Sequence, residues 1–457
     1  MKSKLILPEF PSVHFIGIGG IGMSALAKIL FESGHLVTGS DAQANYITED
    51  LSQLGIKINT SSQISLNKKI DLCVVTSAIS HSNSELIEIQ NLRIPIIKRS
   101  ELLGKIIQRY KGISIVGSHG KTTTSGLIAH MLQDSHVASS FIVGGFLKNY
   151  NTHVKLNSGN YIVYEADESD GSFSHYAPEI LVLTNLDNDH LDFYKNFKNL
   201  VVYFQNYLDK IDSKTLIIIN NDDVGLNSLN LTRFTNIIRY GRTNPCQVKI
   251  ISIKPHERLT KLEVKIFDKD YQFETKLKGI HNTENILASI SVAHSLGIDI
   301  ESISKSLKEF QGIKRRQDIV FENEQLQVLD DYAHHPTEIT ATIKGVRLNT
   351  TKNIIVYFQP HRFTRTRDCW AQYLDCFQSA DQVFLLDIYA SSEAPIDGVN
   401  TESLVNAIKL KNKNLKIEYC RDFYLQMKKS MSSSGVIISM GAGDISQKLR
   451  EFIKHEV

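Results

Sequence analysis

Cysteine is sparse and scattered in this chain. Cys73, Cys246, Cys369, Cys376 and Cys420 form no Cys-x-x-Cys pair, which argues against a zinc site and for the reduced thiols of a cytoplasmic protein. The opening Met-Lys-Ser-Lys-Leu-Ile-Leu-Pro-Glu-Phe-Pro lacks an apolar run of signal-peptide length. Nowhere does the sequence offer the roughly 20 consecutive apolar residues of a membrane span, so no membrane insertion is expected. An excess of one charge is also missing. A formal net charge of +2 gives no footprint for nucleic acid and leaves small anionic substrates open. Long low-complexity linkers and short-period repeats are absent as well.

The composition that is present, 42% hydrophobic and 22% charged over 457 residues, belongs to a globular protein of two or three domains. Strand-like apolar runs alternate with helix-like segments almost throughout, which predicts α/β domains with mainly parallel sheets. Three blocks separate, at about 1–108, 109–312 and 313–457.

The first block opens with the strand-like Val13-His14-Phe15-Ile16 and then Gly17-Ile18-Gly19-Gly20-Ile21-Gly22. A helix from Met23 to Glu32 and a second strand ending at Ser40-Asp41 follow. This is a G-x-G-x-x-G loop in a βαβ context, whose default reading is a dinucleotide site with Asp41 on the ribose.

The second block begins with the sharper signal. Ile-Ser-Ile-Val-Gly-Ser-His-Gly-Lys-Thr-Thr-Thr, residues 113–124, is a strand running into a phosphate loop. Gly117 and Gly120 free backbone N–H groups for an anion; Ser118 and His119 lie between them. Lys121 can reach the β/γ-phosphates and the Thr122 hydroxyl can hold Mg²⁺. The helix that follows, beginning at Thr123, turns its N-terminal dipole to the phosphates. The loop is shorter than the common G-x-x-x-x-G-K-[ST] form. A chain with this loop and the earlier one more plausibly binds two different phosphorylated molecules than NAD. Two acid-rich strand ends, 165–170 and 184–190, supply hard oxygen ligands, and as successive strand ends Glu165 and His190 are expected to converge on one metal. Leu262–Phe273 alternates around Asp268-Lys269-Asp270 as a surface hairpin, and Gly279–Asn285 opens an apolar helix to Leu296.

The third block carries four buried strands, Leu326–Leu329, Ile354–Phe358, Val383–Ile388 and Val436–Ser439, separated by helical patterns. Functional residues belong at their carboxyl ends, where Asp330-Asp331, Gln359-Pro360-His361-Arg362 and Gly441-Ala442-Gly443-Asp444 stand. Arg362 and Arg365, three apart after a strand, suit bidentate capture of a carboxylate or phosphate.

Together these residues closely resemble the Mur ligase family over essentially the whole chain. The likeness runs through His14–Met23, Gly117–Thr124, Glu165–Phe173, Thr184–His190, His281–Asn285, Gly312–Arg316, Asp330–Glu338, Phe358–Thr366 and Gly441–Ile445. The Asp330–Glu338 and Phe358–Thr366 segments look specific to the alanine-adding branch.

The resemblance implies three domains: a Rossmann-like UDP-substrate domain (1–108), a central P-loop ATPase domain with a mainly parallel sheet (109–312), and a C-terminal Rossmann-like amino-acid domain (313–457). It implies ATP-dependent joining of L-alanine to UDP-N-acetylmuramate in peptidoglycan synthesis, with Mg²⁺, in a monomer or weak homodimer. Gly17, Gly19, Gly20, Gly22, Ser40, Asp41 and Ser77 would hold UDP. Lys121, Thr122, His281, Asn282, Asn285, Arg316 and Asp331 would serve the nucleotide. Thr122, Glu165 and His190 would serve the metal. Tyr332, His334, His361, Arg362 and Arg365 would frame the amino acid, with Lys121, Arg316 and His334 as the catalytic groups. Several members place a carbamylated lysine where Gln205 stands here.

Overall fold

The computed structural model describes residues 6–60, 69–76, 79–80, 82–135, 137–169, 171–255, 259–391 and 393–456. Contacts divide the chain into two compact units: Met1–Phe146 with Tyr150–Cys246 and Ala288–Ile303, and Leu147–Asn149 with Gln247–Leu287 and Ser304–Val457.

The first unit holds two mainly parallel sheets. One has the order Lys57–Asn59, Leu36–Ser40, Ser12–Ile16, Leu72–Val75, Ile96–Lys98. The chain winds outward in both directions from Ser12–Ile16, so the Gly17–Gly22 loop leaves the sheet at the topological switch point, where such sheets bind ligands. The other runs Ile237–Gly241, Leu216–Asn220, Ile180–Leu183, Lys111–Val116, Tyr161–Glu165, Ser139–Leu147, with Thr152–Lys155 at its edge. The expectation that the two acid-rich strand ends would be adjacent is corrected here. The phosphate-loop strand Lys111–Val116 lies between them, because successive crossovers return to opposite sides of that central strand. Its burial on both faces fits the mostly apolar Ile113-Ser114-Ile115-Val116.

The second unit combines an antiparallel meander, Val248–Pro255, Thr260–Ile266 and Lys269–Thr275, with a six-stranded sheet. The expected hairpin is present, but Ile266 pairs with Lys269, so its turn is Phe267-Asp268, with Phe267 at φ +51°. The large sheet has the order Asp318–Glu322, Leu326–Asp331, Gly435–Met440, Ile354–Phe358, Gln382–Leu385, Lys416–Tyr419, parallel except for its first strand. Ile354, Val356 and Phe358 pack into one apolar layer, Ile355 and Tyr357 into the other. Burial of each such side chain contributes about 1.5–3 kcal/mol, and helices cover both faces.

The expected α/β class with mainly parallel sheets is what the chain forms. All five cysteines are free. Among the described residues no helix is long and apolar enough to cross a membrane.

Candidate functional site

The phosphate loop is held from the side by the end of Ile180–Leu183. Gly117 has φ +140°, and a Cβ there would sit 2.2 Å from Thr184 Oγ1 and 2.8 Å from the Asn185 carbonyl, so only glycine fits. Ser118 N donates to the Asn185 carbonyl at 3.1 Å. His119 N donates to Asn185 Oδ1 at 2.8 Å, and the Thr184 hydroxyl returns a bond to His119 O at 2.8 Å. His119 Nε2 meets Asp187 Oδ2 at 2.9 Å. Gly120, at φ +81°, precedes the helix Lys121–Gln133, in which Thr122 and Thr123 are buried.

Lys121 Nζ donates to Gly117 O at 2.6 Å and to the Glu168 carboxylate at 2.8 Å. Burial opposes its charge, but Glu168, Asp167 and Glu165 outweigh that and hold its pKa above the ordinary value. Glu168 is 1% exposed and also faces His190, Nε2 to Oε1 at 3.4 Å. Burial draws the His190 pKa down, yet Glu168 and Asp189 carry it above normal. His190 therefore stands with Glu168 and Asp189, while Glu165 stands with Thr122. Glu165 accepts from Thr122 Oγ1 at 3.1 Å, Ser125 Oγ at 2.9 Å and Gly144 N at 2.5 Å. A hydroxyl and a carboxylate at the mouth of a phosphate loop are hard oxygen donors of the kind Mg²⁺ takes, so these residues fit that ion. Gln205 makes no such site. Its amide bonds Asp209 Oδ1 and the Asn230 backbone in a surface network.

At the other loop, Gly17 (φ +81°) and Ile18 donate their N–H groups to Ser40 O at 2.8 and 2.9 Å. Gly19 N donates to Asp41 Oδ2 at 2.8 Å. Gly20 caps the helix Ile21–Glu32, which contains Gly22. Asp41 thus braces the loop itself. The Ser40 hydroxyl donates to Glu85, whose other oxygen meets His14 Nε2 at 2.9 Å; His14 Nδ1 in turn meets Thr38 Oγ1 at 2.7 Å. This buried network underlies the loop. Ser77 lies outside the described residues.

In the second unit, Asn282 Nδ2 donates to Lys278 O at 2.8 Å and Asn285 Nδ2 to Asn282 Oδ1 at 3.1 Å. Burial draws the His281 pKa to about 4, against the pull of Glu338 and assisted by Arg316. Asp331 ends its strand accepting Gln317 N at 2.8 Å and Ala333 N at 2.7 Å. Burial raises its pKa to about 6 despite Arg316. The guanidinium carbons of Arg315 and Arg316 lie 4.7 and 5.1 Å from the Tyr332 ring centre. Asp330 is structural, holding Ser446 and Arg450.

His334 Nδ1 lies 3.1 Å from Tyr332 O, so Nδ1 is the donor of that pair. The His334 and His361 rings are 6.2 Å apart. His361 stacks on Tyr389 at 5.6 Å and 9°; burial, His334 and the nearby arginines push its pKa to about 3. Arg365 Nη1 lies 3.5 Å from His361 Nδ1. Arg362, at φ +72°, donates through Nε to Glu393 Oε1 at 2.5 Å. Glu393 also accepts Thr364 N at 2.9 Å and its hydroxyl at 2.6 Å. Tyr332, His334, His361, Arg362 and Arg365 therefore belong to one region at the carboxyl end of one sheet, as expected.

Sequence reasoning did not single out Glu168, Glu85, Arg99 or Glu393. Glu168 stood inside an acidic run with nothing to distinguish it, and the others face partners at least 31 residues away.

A parallel α/β frame with a shortened phosphate loop, flanking acids and a separate histidine–arginine cluster defines a nucleotide-dependent enzyme class. Successive segments match the models of the Mur ligase family catalytic domain (12–111), the Mur ligase middle domain (115–293) and the Mur ligase glutamate ligase domain (315–443). The chain is 36% identical over 459 residues, 97% of each protein, to a UDP-N-acetylmuramate–L-alanine ligase of Desulforamulus reducens. A crystal structure of a UDP-N-acetylmuramate–alanine ligase from Thermotoga maritima aligns with TM-score 0.82 and 28% identity, over 97% of this chain and 98% of that one. A murein peptide ligase from Psychrobacter arcticus shares the fold at TM-score 0.73 and 23% identity, over 98% and 99%. The chain belongs to the Mur ligase family.

Proposed function

We propose that this chain uses ATP to join L-alanine to the lactyl carboxylate of UDP-N-acetylmuramate, the first amino-acid addition of peptidoglycan precursor synthesis. The observation that carries the reading is the phosphate loop with Lys121 buried against Glu168 and Thr122 on Glu165, in a chain whose near full-length relatives bear that ligase name. Residues 1–108 take the UDP-sugar, 109–312 ATP, and 313–457 the amino acid.

The lactyl carboxylate attacks the γ-phosphate, giving an acyl phosphate and ADP; the amine of alanine then attacks the carbonyl and expels phosphate. An anion approaching a nucleotide triphosphate is repelled, so the enzyme's task is positioning and charge neutralisation. Loop N–H groups and Lys121 hold the β/γ-phosphates, and Arg316 adds positive charge. Thr122 and Glu165, with His190 from the other side of the phosphate-loop strand, would hold Mg²⁺, which would supply further neutralisation of phosphate charge. His281, Asn282, Asn285 and Asp331 meet the nucleotide. Arg362 and Arg365 take the carboxylate of alanine. Its ammonium must lose a proton. With a pKa of about 3, His361 is too weak a base near neutral pH, so the expectation of either histidine narrows to His334.

Carboxylate ¹⁸O in UDP-N-acetylmuramate should emerge in the released phosphate. Phosphate that carries no label would remove the acyl-phosphate route.

A further inference from the structure

Arg99 opens the helix Arg99–Ile107 and lies at the junction of two loops the reaction needs. Its Nη1 lies 3.1 Å from where a Cβ on Gly22 would sit, and its Cδ 3.2 Å. The guanidinium therefore rests on the last glycine of the sugar-nucleotide loop, in the first turn of the helix Ile21–Glu32. On its other side, Nη2 meets Asp167 Oδ2 at 3.1 Å, and Asp167 stands between Glu165 and Glu168 in the acidic loop of the ATP site. The pair is not sealed in the core, since its side chains are 22% and 39% exposed. The acidic loop's Asp167 thus faces a cation that rests on the glycine loop.

We propose that Arg99 is a binding residue for the anionic part of the UDP-sugar, held ready by Asp167 and exchanging that carboxylate for the substrate's own negative charge. This rests on the reading that Gly17–Gly22 holds the UDP-sugar. Arginine suits the role because its planar fork offers five donors and can serve two oxyanions side by side. Glycine at position 22 keeps the space between loop and guanidinium open. Two groups share this chemistry, the diphosphate and the lactyl carboxylate.

The test is calorimetric titration of UDP-N-acetylmuramate and of UDP, which lacks the carboxylate, into wild type, Arg99→Met and Asp167→Asn. Arg99→Met is expected to raise the Kd for UDP-N-acetylmuramate at least tenfold. Asp167→Asn, which breaks the same pair but keeps the cation, should bind within twofold of wild type or more tightly. A parallel loss for UDP assigns the diphosphate; a loss confined to UDP-N-acetylmuramate assigns the carboxylate. Unchanged binding by Arg99→Met, or equal losses in both variants, would overturn the proposal and leave the pair as a structural tie. Should Arg99→Met not fold, Arg99→Gln takes its place. Gly19→Ala, whose Cβ would strike Asp41 at 2.8 Å, checks the underlying reading separately. If it binds normally, the loop is not the UDP site; if it fails while Arg99→Met binds, only the role of Arg99 falls.

Discussion

Glu168 holds two functional side chains at once: its buried carboxylate lies 2.8 Å from Lys121 Nζ and 3.4 Å from His190 Nε2. Removing the charge from such a pair leaves the partner cation uncompensated in a largely buried place, which typically costs about 3–5 kcal/mol. Glu168→Gln should melt well below wild type without nucleotide. Saturating ATP, whose phosphates bring new negative charge to Lys121, should close part of that gap. Equal melting of variant and wild type without nucleotide would refute the pairing.

Gly117→Ala should abolish ATP turnover. The added methyl group collides with Thr184 and Asn185, and the backbone at φ +140° resists any side chain, a strain of order 1–3 kcal/mol. Calorimetry with a non-hydrolysable ATP analogue checks this, and wild-type affinity would contradict the geometry.

Arg362→Ala should raise KM for L-alanine far more than KM for ATP. The guanidinium belongs to the histidine–arginine cluster and is oriented by Glu393. Steady-state kinetics with each substrate varied in turn decide it; equal effects on both would take Arg362 out of the amino-acid site.

His361 sets an acid limit on stability. Its pKa is about 3 in the fold, against an ordinary 6.5. Between those values the unfolded chain binds a proton that the folded chain refuses, so stability falls as pH drops through the window, at most about 1.4 kcal/mol per unit. His361→Gln should flatten part of that decline. Urea unfolding at pH 7 and pH 5 measures it, and parallel declines in both proteins would sink the assignment.

Much of this site was legible in order along the chain. The Gly117–Thr122 loop, and Glu165, Asp331, His361 and Arg362 at strand ends, follow from motif spacing and strand-end placement, whereas His334 entered only through the family resemblance. What was hidden depends on strand order. The Lys111–Val116 strand lies between the two acid-rich ends, so adjacency in sequence misled. That the Asp41 carboxylate also accepts Gly19 N and so braces the loop was not visible in the motif. Glu85 and Glu393 gain their meaning only from distant partners, Ser40 and Arg362, which no local pattern announces.

The most direct measurement is the mass of the product. The protein would be incubated with ATP, Mg²⁺ and UDP-N-acetylmuramate, and with L-alanine or a murein tripeptide in separate reactions. The account predicts UDP-N-acetylmuramate increased by one alanine residue, with ADP and phosphate formed in equal amounts. A product formed with the tripeptide but not with alanine, or ADP released with no gain in mass, would contradict it.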